Sequence, residues 1–229
     1  MPDPARIPLV IAHRGASAEE EENSIAAFRR AIDMGADGIE LDVHATADGG
    51  IIVYHDAEIE GEPIRNLKAG VIHQFRLPNG EPVPTLEEAL ATITPHAMAF
   101  VELKTLPPSA DDALLALFGA APGPERCHIH SFDHRIIQRL TARRPTVNAG
   151  VLSGSYTMDP VAPVRAAGAT VLWQHVDMID APLAAQLHAE GLRLFAWTTD
   201  MPSRMRRLAA DGVDGICTNR PDLARKAFQ

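Results

Sequence analysis

The chain has 229 residues, a formal net charge of −9 and 46% hydrophobic residues. That length and apolar content suit one α/β domain with a full core, and the negative charge argues against a binder of nucleic-acid backbones. An anionic substrate would need local positive charge, from a few Arg or Lys side chains or from a metal.

Residues 1–6 lack a basic region running into an apolar core, so no signal peptide is expected. No apolar stretch is long enough to span a bilayer. Residues 7–12 are a short apolar run that reads as a buried strand ending in His13-Arg14-Gly15. An acidic run at 19–22 favours a helix N-terminus, and Asn23 or Ser24 can cap a helix through Ile25, Phe28 and Ile32 to Gly35.

A strand over 39–44 follows. Alternate side chains share a face, so Glu40, Asp42 and His44 point one way and Ile39, Leu41 and Val43 the other. Two carboxylates on one buried face cost several kcal/mol unless a cation lies between them. Asp48-Gly49-Gly50 turns the chain, and a short strand at 51–54 delivers His55 and Asp56. Residues 57–84 are rich in Gly and Pro and have no sustained period; they read as a loop excursion with one helical turn near 67–74. Thr85 to Glu88 is a capping signal for a helix to about Ile93.

From there strands and helices alternate. Strands are predicted at 97–103, 127–132, 147–152, 170–173, 193–197 and 215–217. Helices are predicted at 109–121, 133–144, 161–167, 181–190, 202–210 and 221–228. Cys127 and Cys217, far apart and each in a predicted strand, read as buried free thiols, which fits a reducing, cytoplasmic setting. Eight strand–helix units in one chain of this length imply a single-domain (β/α)8 TIM barrel, with a short insertion after the second strand. An open doubly wound sheet would want a Gly-rich turn after the first strand, and Gly15 alone is not one.

In such barrels chemistry sits at the C-terminal ends of the strands. The unusual polar residues fall there: His13-Arg14, Glu40 and Asp42, His55, Glu102 and Lys104, Ser131, Trp197, Thr218-Asn219. Glu40, Asp42 and Glu102 form an all-oxygen set suited to a hard cation, magnesium or calcium. His13 and His55 are then free for proton transfer, and Arg14 and Lys104 supply positive charge. These are the parts needed to cleave a phosphate ester.

The ordered motifs resemble the glycerophosphodiester phosphodiesterase family: His13-Arg14-Gly15, Glu22-Asn23-Ser24, Glu40-Leu41-Asp42-Val43, Asp48-Gly49, His55-Asp56, Pro84 to Glu88, Glu102-Leu103-Lys104, Ser131-Phe132 and Trp197-Thr198. The resemblance implies hydrolysis of glycerophosphodiesters to sn-glycerol 3-phosphate and an alcohol. It implies metal ligation by Glu40, Asp42 and Glu102, acid–base work by His13 and His55, and phosphate contacts from Arg14 and Lys104. Three features depart from the family pattern: Glu21 replaces the usual proline, Ala47 stands where lysine is frequent, and the 57–84 insertion is short, which bears on substrate choice rather than on the chemistry.

Other residues are weighed against plainer roles. His44 shares the carboxylate face but is expected on a solvated rim. His128 and His130 resemble the His-x-His pair of metal-dependent amidohydrolases, but on the fourth strand rather than the first, which disfavours a metal role. Trp197 reads as a substrate wall or as packing, and Asn219 is open in the same way. Arg204, Arg206 and Arg207 read as a solvated helix face. Two other functions compete: a phospholipase C or D acting on lipid, and a non-catalytic anion-binding barrel. The first would want apolar rim loops, and the 57–84 loop offers only Phe75, so no stable membrane association is expected. The second would be expected to have lost a histidine or carboxylate, and none is missing.

Overall fold

Eight parallel strands close on themselves in the computed structural model, which describes residues 7–229. Residues 1–6, on which the expectation of no signal peptide rests, lie outside the described residues. In chain order the elements are β1 (Leu9–His13), α1 (Ile25–Asp33), β2 (Gly38–Ala45), β3 (Ile51–Val53), β4 (Glu58–Ile59), β5 (Glu62–Pro63), α2 (Ala69–Ile72), α3 (Leu86–Ile93) and β6 (Met98–Thr105). They continue as α4 (Asp111–Ala120), β7 (Cys127–Ser131), α5 (His134–Arg143), β8 (Asn148–Ser153), α6 (Val161–Ala166), β9 (Val171–His175), α7 (Ala181–Ala189), β10 (Arg193–Trp197), α8 (Pro202–Asp211), β11 (Gly215–Thr218) and α9 (Pro221–Ala227). β1 pairs with β11 on one side, Val10 opposite Ile216, and with β2 on the other, Ala12 opposite Ile39, which closes the barrel. β3 is the ribbon, antiparallel to β2 with Val43 opposite Val53.

The expected caps form. Ser24 accepts from the Ala27 amide at 3.0 Å, and Thr85 with Glu88 makes a capping box. The strands divide two cores by parity. Ile39, Leu41 and Val43 face outward to the helices, where Phe28 and Leu90 are also fully covered. The barrel interior holds Ile11, Phe100, Trp173, Phe195 and Cys217. Phe195 meets Trp173 edge-on with centroids 5.0 Å apart.

Such large rings fit only because glycines face them. A Cβ on Gly150 would lie 2.8 Å from the Trp173 ring, and one on Gly215 would lie 2.9 Å from Phe195. Gly150→Ala should therefore overpack the barrel and cost about 1–3 kcal/mol. For a chain of this size that lowers Tm by roughly 2–12 °C in calorimetry. An unchanged Tm would show that the rings have room.

The 57–84 segment differs from the loop expected. The expected helical turn forms as α2, but the segment also carries the β4–β5 hairpin, and its Ile59, Ile64, Ile72, Leu77 and Val83 pack with Ile52 of β3 into an apolar cluster. These apolar residues sit at irregular spacings, so neither helical nor strand period betrays them. The segment is a small packed cap beside the barrel mouth. Both cysteines are buried and free, and burial raises both thiol pKa values, that of Cys127 to about 11. No helix among the described residues is long and apolar enough to cross a membrane.

Candidate active site

The strand register stacks the polar residues at one end of the barrel. His13 lies opposite Glu40 across β1 and β2, Asp42 opposite Glu102 across β2 and β6, and Glu102 opposite His130 across β6 and β7. All but Asp42 border a cavity of about 200 Å³. His13, Arg14, Glu40, His55, Glu102 and Lys104 form its charged side, and Phe132, Leu152, Trp173 and Trp197 its apolar side.

His13 is held by a relay from the last strand end. Asp200 accepts from the Asn219 side-chain amide at 2.8 Å, from the Asn219 backbone N–H at 2.8 Å and from the Thr218 hydroxyl at 2.8 Å. With its NH2 group spent on Asp200, Asn219 offers Oδ1 to His13 Nδ1, 2.7 Å away. Nδ1 therefore carries the proton and Nε2 keeps its lone pair. Burial, then the Arg14 charge, pushes the His13 pKa below 6.5, so the ring is neutral near pH 7. Asn219, left open in the sequence, is thus the residue that positions His13.

His55 is fixed from the other side. Its Nδ1 lies 2.7 Å from Asp56 Oδ1, and its backbone carbonyl accepts from His44 Nε2 at 3.1 Å. The solvated rim expected for His44 is not where the structure puts it. The register shift between Val43 and His44 adds a residue, Lys104, to the neighbouring β6 and brings Thr105 opposite His44; the ring is buried, 3% exposed, with Nδ1 bonded to the Thr105 hydroxyl at 3.0 Å. It supports the His55 backbone.

Arg14 and Lys104 grip Asp42 between them. Arg14 Nε is 2.9 Å from Oδ2 and Lys104 Nζ 3.1 Å from Oδ1. Arg14 also binds Glu22 at 2.9 Å, and Lys104 reaches Glu102 at 2.7 Å. Asn23 donates to Asp42 at 2.9 Å and accepts from its backbone N–H at 3.2 Å. Arg14 and Asn23 both have left-handed backbones, φ 55° and 57°, a strain that such paired contacts hold in place. Burial would raise the Asp42 pKa, but Lys104 and Arg14 outweigh it and keep it low.

Glu40 is the opposite case. Burial first, then Asp42 and Glu102, pushes its carboxyl well up. Its Oε2 accepts from the Arg14 N–H at 3.1 Å, while Oε1 is buried without a partner. His130 Nε2 lies 3.9 Å from that oxygen, too long for a hydrogen bond but a spacing two ligands of one ion can take. Glu40, Glu102 and His130 offer donor atoms within 4.8 Å of one another, so this cluster could hold a metal ion. Burial lowers the His130 pKa to about 3, so it presents a neutral nitrogen. The disfavoured histidine is therefore beside the carboxylates. The signal for it was β7 parity, since His128 and His130 share a face and the face is the barrel interior. His128 is the plainer one: its ring packs on Phe100 at 4.7 Å.

Trp197 lines the apolar side, edge-on to Phe132 at 5.4 Å, and its indole Nε1 is buried without a partner. Ser131 turns away, its hydroxyl donating to the Leu103 carbonyl at 2.7 Å.

Fold and site together define a (β/α)8 barrel whose mouth gathers carboxylates, histidines and two paired cations. Residues 13–223 match the model of the glycerophosphoryl diester phosphodiesterase family, and the chain belongs to that family. It is 34% identical to a glycerophosphodiester phosphodiesterase of Caldanaerobacter subterraneus, covering 93% of this chain and 95% of that one. A glycerophosphodiester phosphodiesterase crystal structure from Parabacteroides distasonis superposes with a TM-score of 0.88, at 28% identity and 97% coverage of both chains. The same fold is seen in an Oleispira antarctica phosphodiesterase solved with its product sn-glycerol 3-phosphate, with a TM-score of 0.89 at 22% identity over 97% of each chain.

Proposed function

We propose that this enzyme hydrolyses water-soluble glycerophosphodiesters to sn-glycerol 3-phosphate and an alcohol, in the cytoplasm, with a divalent cation and the pair His13 and His55. The observation that carries the reading is the posture of His13. Its Nδ1 is tied to Asn219, its pKa is lowered, and its Nε2 is left for proton transfer beside the carboxylate cluster. That is what a general base requires.

The charge balance supports a metal. Among the described residues three buried carboxylates, Glu40, Asp42 and Glu102, meet two cations, Arg14 and Lys104, and both cations are already paired. An anionic phosphodiester would add to the deficit. The unpartnered Glu40 Oε1 and the hard oxygen donors fit a divalent ion, held by Glu40, Asp42 and Glu102 with His130 adjoining. When bound, magnesium or calcium supplies Lewis-acid stabilisation of charge on the phosphoryl oxygens. Arg14 and Lys104 orient the phosphate, and Trp197 walls the pocket. His13 takes the proton of the glycerol 2-hydroxyl as it attacks phosphorus, and His55 gives one to the leaving alcohol. The roles then swap while water opens the cyclic phosphate.

The test is product analysis. Incubation with magnesium or calcium and a soluble glycerophosphodiester should yield sn-glycerol 3-phosphate and free alcohol in equal amounts, read by phosphorus NMR and a coupled dehydrogenase. Release of a phosphorylated alcohol and glycerol would overturn the regiochemistry.

A further inference from the structure

A second concavity begins where the central pocket reaches His55. It has a volume of about 200 Å³ and runs between the loop after β1 and the 57–84 cap. Ile59, Leu77 and Val83 give it an apolar floor, and Tyr54 and Phe75 add two half-buried rings. Carboxylates dominate its rim: Glu21, Glu22, Asp56 and Glu60, against one cation, Arg76. Glu22 is neutralised by Arg14, and Arg76 Nη1 donates to the carbonyls of His73 and Phe75. Asp56 is occupied with His55. Among the described residues Glu21 and Glu60 make no ion pair, so their charge is open to whatever enters. The field is felt inside the groove: burial first, then Asp56, Glu21, Glu22 and Glu60, raises the Tyr54 pKa.

We propose that this groove is the subsite for the leaving alcohol and that it selects alkylammonium alcohols, of the choline and ethanolamine type, over neutral polyols. The inference rests on the phosphodiesterase reading above. His55 belongs to both cavities, so a group protonated by His55 lies at the mouth of the groove. An apolar floor lined by aromatic side chains and unpaired carboxylates is the chemistry that holds an alkylammonium ion, through cation–π and Coulomb attraction together. A neutral polyol gains neither, and an anionic alcohol is repelled. The cap that carries Glu60, Phe75 and Arg76 is the segment whose short length left substrate choice open in the sequence.

The experiment is a comparison of kcat/KM for glycerophosphocholine, glycerophosphoethanolamine, glycerophosphoglycerol and glycerophosphoinositol. The two cationic diesters should be preferred by about tenfold at low salt, and the preference should shrink as salt screens the half-exposed carboxylates. Tetramethylammonium should inhibit competitively. In Glu21→Gln/Glu60→Gln the ratio of cationic to neutral kcat/KM should fall toward one, while Glu125→Gln, before β7 at the far end of the barrel, should keep the wild-type ratio. Equal use of all four diesters, or an unchanged ratio in the double variant, would overturn the subsite and leave the phosphodiesterase reading standing. Cleavage of none of them would overturn both.

Discussion

Exhaustive chelation should abolish diester hydrolysis, and magnesium or calcium should restore it. Glu40→Gln should lower kcat by about 10³-fold or more, the order that several kcal/mol of lost Lewis-acid stabilisation gives. It should also lose metal in calorimetric titration while remaining folded. Folding is expected to survive because the carboxyl is already driven toward its neutral form by burial and by Asp42 and Glu102, and an amide imposes no new charge there. The same titration sorts the third ligand. Asp42 is gripped by Arg14, Lys104 and Asn23, whereas His130 stands beside Glu40 with no ion pair of its own strength to keep it. If the set is Glu40, Asp42 and Glu102, His130→Ala should keep its affinity and Asp42→Asn should lose it. The reverse outcome would hand the position to His130, and a nitrogen donor would shift preference toward manganese or cobalt. Full activity after chelation would remove the metal from the mechanism.

The barrel was legible because its strands and helices alternate cleanly and each carries its own punctuation: Ser24, Thr85 and Asp133 as caps, Pro221 as a helix opener. The site was legible where strand parity held, at Glu40 and Asp42. At His44 the exposure was not legible, because the residues that cover its ring, Thr105 beyond the extra residue of β6 and the His55 backbone, come from other elements. Likeness to another fold says nothing of where His130 lies; parity on β7 points it inward, beside Glu40 and Glu102. Asn219 and Asp200 are 19 residues apart in sequence, and only closure of the barrel shows that together they orient His13. In the 57–84 cap only the helical turn of α2 was legible; the rest of its cluster is assembled from turns and a hairpin, which carry no period.

His13→Ala and His55→Ala should each reduce kcat by about 10²–10⁴-fold, with metal content unchanged, because a positioned acid or base contributes that much. The double variant should lose less than the product of the two losses, since the pair acts as a unit. In the proposed mechanism their starting roles differ. His13, with its Nδ1 proton fixed by Asn219 and its pKa lowered, by burial and then by Arg14, is expected to start as the base on the 2-hydroxyl. His55, at the mouth of the acidic groove, is expected to start as the acid on the leaving alcohol. The pH profile of kcat/KM should then be bell-shaped, and the sign of its acid limb follows. A base with a lowered pKa stays unprotonated to lower pH, so activity should persist below 6.5 before it falls. Asn219→Ala removes the bond that raises the His13 pKa and frees the ring to flip. It should reduce kcat and move the acid limb further down, while metal affinity stays as in wild type. A diester lacking the 2-hydroxyl should be a poor substrate, and its rapid cleavage would remove the cyclic route while leaving the acid–base pair. Near-wild-type turnover by either alanine variant would remove the pair itself.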